Sequence, residues 1–162
     1  MKTDVLPQVQ ASAGSAKTGP AKIVVRYANG KTVKGFSHDF SPFAGQFYVR
    51  PDPISGQKGG QQVCVRDLKA VFFVRDFHGD NSLDERKHFL PGTVGSGRRV
   101  EVTFLDGEVL VGTTTGYDSQ RPGFFLFPAD TKSNNIRVFV VMAAVKTVRL
   151  LGLSAVRQNM VW

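Results

Sequence analysis

The chain has 162 residues, with 21 Lys and Arg against 13 Asp and Glu, for a formal charge of +8. Hydrophobic residues make up 41% and charged residues 21%, a globular rather than a disordered composition. A lone cysteine, Cys64, excludes an internal disulfide framework. No run approaches the roughly 18 apolar residues of a membrane span, and the first residues lack the apolar core of a secretory signal. The expected compartment is therefore the cytoplasm, with no membrane partner.

In chain order, residues 1–21 are dominated by Ala, Ser, Gly, Thr, Pro and Lys without periodicity, and read as a flexible tail. From Lys22, the apolar residues Ile23, Val25 and Tyr27 alternate with their neighbours and end at Asn29-Gly30. Alternation closed by Asn-Gly is a hairpin signal, because the tight turn needs positive φ. Lys31 to Phe36 is the returning strand, and Gly35 within it marks a bend or bulge. Gln46–Arg50, Gln62–Arg66 and Leu68–Val74 are three further strands rich in Val, Phe and Tyr. A Pro- and Gly-rich loop, PDPISGQKGGQ, separates the first two of these.

The pattern then repeats. Adding 77 to Asn29 and Gly30 gives Asp106 and Gly107; the same shift takes Gly35 to Gly112, Phe40 to Tyr117, Phe47 to Phe124 and Pro51 to Pro128. No gap is needed, and Val71 still falls on Val148. The chain is expected to be an internal duplication, with a first unit at 22–74, a connector at 75–98, a second unit at 99–151 and a C-terminal tail at 152–162. Within the connector, Asn81 or Ser82 is placed to cap one helical turn, and Phe77, Phe89 and Leu90 to dock it. Trp162 marks the last tail as a docking segment. Each unit offers about five short strands and almost no helix, which buries one face well only by curling. The expected fold is all-β: two tandem Sm/SH3-like small β-barrels.

VEVTFLDGEVLVGTTTGYD (Val100 to Asp118) resembles the first Sm motif, with alternating apolar residues, an Asp-Gly turn, a Gly five residues on and an aromatic-Asp pair. IVVRYANGKTVKGFSHDFS (Ile23 to Ser41) matches the turn and both glycines. The resemblance implies the Sm-like fold. It does not bring the RNA site with it, since Asp118 is followed by Ser119-Gln120-Arg121 and no Arg-Gly ends the fourth strand. The segments Val65 to Asp80 and Arg121 to Val141 also resemble an uncharacterised family of small bacterial domains. That resemblance implies a bacterial cytoplasmic protein and brings no activity.

No catalytic, metal or cofactor site is expected. His38, His78, His88 and Cys64 are scattered without metal-ligand spacing. His38 beside Asp39, and His78 near Asp80, read as solvated loop pairs rather than a nucleophile with its base. Neither a phosphate-binding glycine loop nor a nucleophile elbow is present. The expectation is a binding module, not an enzyme.

Charge points to where it binds. In the first unit eight cations oppose three carboxylates, leaving +5; in residues 98–151 seven oppose five, leaving +2. Arg26, Lys34, Arg50 and Arg66 occupy strand positions with apolar neighbours and so should point outward, with Tyr48 beside Arg50. Cations around an exposed ring suit single-stranded nucleic acid, phosphates on the cations and bases on the ring. At the matching places the second unit carries Phe125 and Phe127 in GFFLFP. Phe124 and Leu126 should face the core, leaving Phe125 and Phe127 outward and in need of a cover. Packing of one barrel on the other is the expected cover, with nucleic acid, another protein or a second copy of the chain as the expected partners.

Overall fold

A computed structural model describes residues 19–51, 60–79, 83–90 and 97–152. Residues 1–18 and 153–162 of the two tails and the capped turn expected at Asn81 or Ser82 lie outside them, while Ala21, expected in the first tail, already belongs to the first strand. The architecture is all-β. Ten strands follow in order: β1 (Ala21–Tyr27), β2 (Thr32–Ser37), β3 (Gln46–Val49), β4 (Gln61–Cys64), β5 (Leu68–Val74), β6 (Arg98–Phe104), β7 (Val109–Thr114), β8 (Gly123–Pro128), β9 (Asn135–Val141) and β10 (Val145–Leu151). Single 3-10 turns, Val65–Asp67 and Met142–Ala144, precede β5 and β10.

The 77-residue shift holds down to individual pairs. Tyr27 opposes Leu68, and Phe104 opposes Val145. Arg26 opposes Ala70, and Thr103 opposes Thr147, so one bulge is repeated at the same place. In the β3–β4 and β8–β9 hairpins, Tyr48↔Gln62 corresponds to Phe125↔Phe139. The turn glycines adopt φ of 96° at Gly30 and 94° at Gly107, a region costly for any residue with a Cβ. At Gly35, a Cβ would lie 2.5 Å from the carbonyl oxygen of Arg50, and the Phe36–Arg50 bridge passes beside it. Only glycine lets β2 approach the end of β3 this closely.

The halves are not two separate closed barrels. Eight strands form one antiparallel sheet in the order β10-β6-β7-β8-β9-β5-β1-β2, with β3–β4 as a separate two-stranded ribbon. The sheet crosses from one half to the other because β9 pairs with β5, Val71 opposite Phe139 and Phe72 opposite Val138. Strand β5 is buried at all seven positions. Ala70, Phe72 and Val74 join the core of the second half, with Val100, Phe104, Phe124 and Val140. Val71 and Phe73 face the core of the first half, with Ile23, Val25, Phe47 and Val63. Such two-sided burial is what a strand apolar at consecutive positions encodes, here Ala70 to Val74. Among the described residues no helix is long and apolar enough to cross a membrane.

Candidate functional site

The seam between the halves is built on the pairing of β5 with β9. Phe40 and Phe73 of the first half meet Phe125 and Phe139 of the second, with Phe40–Phe139 centroids 5.4 Å apart and Phe125–Phe139 centroids 5.2 Å apart. The guanidinium of Arg137 lies 4.4 Å from the centroids of both Phe73 and Phe125. Its pKa is lowered from the ordinary value by burial, as expected of a cation held against rings rather than water.

A second contact closes the other end of the seam. The Lys69 ammonium is buried, 4.8 Å from the centroid of the Phe104 ring. It donates to Asp106 at 2.7 Å and also to Glu108, both in the turn between β6 and β7. The hydrogen bond from Lys69 is the main cause holding the Asp106 carboxyl below its usual value, and the Glu108 backbone N–H adds to it. Arg26 reaches the same turn, 3.7 Å from Glu108, with its guanidinium 5.5 Å from the Phe72 ring.

The charged residues expected to share one face do not form a single cluster. Arg26 is committed to Glu108 and Phe72. Lys34 donates to the carbonyl of Phe77 at 3.1 Å. Arg66 lies in a 3-10 turn rather than a strand, because the chain tightens there before entering β5. It borders an apolar groove of about 490 Å³ whose lining includes Phe43, Cys64, Pro122 and Met142. Only Tyr48 and Arg50 meet: the Arg50 guanidinium stands 5.6 Å from the Tyr48 ring, and its buried Nε has no hydrogen-bond partner among the described residues. Tyr48 is exposed.

Of the two phenylalanines expected to face outward, Phe125 is covered by Phe40 and Phe73 of the first half. Phe127 remains 43% exposed. Sequence reasoning missed Lys69, Arg137, Asp106 and Glu108 as the groups that clasp the seam. A lysine inside the apolar run LKAVFFV was the available signal. Among the described residues, no three His, Cys, Asp or Glu side chains come together as metal ligands.

The first half repeats the hairpin of the seam, unpaired on one side among the described residues. Its hairpin β3–β4 corresponds to β8–β9, and β4 has no strand on its other side among the described residues. Exposed Gln61 and Gln62 stand where buried Val138 and Phe139 stand. The chain is thus all-β, with one hairpin edge paired and its duplicate unpaired among the described residues. A family model described as a family of unknown function, DUF6982, matches residues 19–152, and the chain belongs to that family. No curated protein and no solved structure matched the chain.

Proposed function

We propose that this chain is a non-enzymatic binding module of the bacterial cytoplasm, built from two duplicated Sm-like units at about 22–74 and 99–151 that share one sheet, and that its ligand is another polypeptide. One observation carries the reading. The β8–β9 hairpin is covered by β5 while its counterpart β3–β4 has no such cover among the described residues, with Tyr48 exposed at the position of the covered Phe125. An unpaired strand edge beside an exposed aromatic is a common protein-docking surface. The test is capture of a partner from nuclease-treated extract. Tyr48→Asp should abolish capture, and Leu105→Asp, an exposed residue in a turn of the other half, should preserve it. Capture unchanged by Tyr48→Asp would sink the reading.

Nucleic-acid binding is the second reading. It is favoured by the Arg50–Tyr48 pair and by the +5 charge of the first unit. It requires oligonucleotide affinity that falls steeply with salt and is lost in Arg50→Glu. Binding no tighter than about millimolar at low salt, weaker than ordinary non-specific affinity, would remove it.

A further inference from the structure

The seam inside the molecule specifies what the open edge accepts. Moving the β5–β9 pairing back by 77 residues puts an incoming strand on β4, with its Ala70-like residue opposite Val63, its Val71-like residue opposite Gln62 and its Phe72-like residue opposite Gln61. The Phe73-like residue falls opposite Gly60 and beside Tyr48, as Phe73 lies beside Phe125 with centroids 6.0 Å apart. At Gly60 a Cβ would stand 3.4 Å from Cγ of Arg50. The Arg50 side chain thus lies over the position corresponding to Arg137, and its guanidinium is set against Tyr48 as that of Arg137 is against Phe125.

The charge at the other end is inverted. In the seam, Lys69 brings its ammonium to the Phe104 ring and to the carboxylates of Asp106 and Glu108. The corresponding residues of the first half are Tyr27, Asn29 and Lys31. Here Lys31 itself sets its ammonium 5.3 Å from the Tyr27 ring centroid. The cation that an incoming strand supplies at the seam is already present, and the two carboxylates that receive it there are replaced by Asn29 and Lys31. A lysine entering there meets like charge, while a carboxylate finds an exposed ammonium. This disfavours a second copy of the chain as the occupant. Its own β10 would bring Lys146 to Lys31, and Arg149 to Gln61.

Resting on the protein-binding reading above, we infer that the β4 edge binds an extended segment of a different protein by strand addition, in the register β5 uses on β9. That segment carries Asp or Glu at the place of Lys69 and an aromatic residue four positions later, against Tyr48. The hydrogen-bonded ladder supplies affinity, while the carboxylate at Lys31 and the ring at Tyr48 supply specificity.

The probe is a synthetic peptide spanning Arg66–Arg75 with Lys69→Glu, compared with the unaltered peptide. The Glu peptide should bind the full-length protein roughly 2- to 5-fold tighter at low salt, the range of a cross-strand charge pair. Lys31→Glu should reverse that preference. Tyr48→Ala should weaken both peptides, and amide exchange at Gln61–Cys64 should slow on binding. Equal affinity of both peptides, no reversal in Lys31→Glu, or protection elsewhere would overturn the inferred register and charge. Failure of both peptides to bind would overturn strand addition at this edge. Neither result touches the broader protein-binding reading, which stands or falls on loss of partner capture in Tyr48→Asp.

Discussion

Lys69, on the last strand of the first half, ends 2.7 Å from Asp106 in a turn of the second. The ammonium side chain is only 7% exposed, whereas that of Asp106 is 55% exposed. Removing the cation therefore leaves carboxylates that can regain water, a milder loss than orphaning a buried charge. Lys69→Met should lower stability by about 1 kcal/mol, measured by urea unfolding at neutral pH.

The same contact sets a pH dependence. The folded pKa of Asp106 is depressed, first by Lys69 and then by the Glu108 backbone N–H. Its contribution is therefore present above the unfolded carboxylate value and is lost as pH falls through the depressed folded value. Wild-type stability should decline on acidification below about pH 4, and Lys69→Met should flatten part of that decline. An unchanged profile in the variant would contradict the assignment.

Asp130 should behave alike through a different structure. It is buried, and hydrogen bonds from the backbone N–H groups of Arg86 and Lys132 depress its pKa. Arg86 also donates through Nη2 to the carbonyl of Ala129 at 3.0 Å, and Ser133 donates to Glu85 at 2.8 Å. These bonds dock residues 83–90 of the connector on the second half. Asp130→Ala should cost about 1–3 kcal/mol and make this segment a preferred protease site at neutral pH.

Equivalent positions should differ sharply in cost. Phe125→Ala opens a cluster of Phe40, Phe73 and Phe139 and should cost about 2–4 kcal/mol. Phe127→Ala, two residues on and exposed, should cost under about 1 kcal/mol. Thermal unfolding of the two variants side by side checks the ranking.

Glycine variants test the close approaches. Gly112→Ala would drive a Cβ into the Phe127 carbonyl and to 2.7 Å from a Leu126 methyl, and should cost several kcal/mol or prevent folding. Gly116→Ala meets nothing within 4 Å and should be neutral or slightly stabilising. Similar melting temperatures for both would refute the packing at Gly112.

Much of this fold was legible in residues. The Asn29-Gly30 and Asp106-Gly107 turns, together with Gly35 and Gly112, set the repeat, and pairing follows its 77-residue shift. Phe124 and Leu126 are buried as their alternation required. The joining of the halves was less legible. Which edge a strand selects depends on contacts far apart in sequence, and only the consecutive apolar residues Ala70 to Val74 of β5 signalled burial on both faces. The basic residues were placed on outer positions by alternation. Alternation carries no information about Glu108 reaching Arg26, or about the tight turn that takes Arg66 out of the strand.

The edge of β4 is open among the described residues, while that of β9 is filled by β5. Amide hydrogen exchange on the free protein tests it most directly. Val138–Val141 of β9 should exchange slowly, and outward-pointing amides of Gln61–Cys64 should exchange orders of magnitude faster. Exchange at Gln61–Cys64 as slow as in β9 would show that edge already covered and would contradict the account.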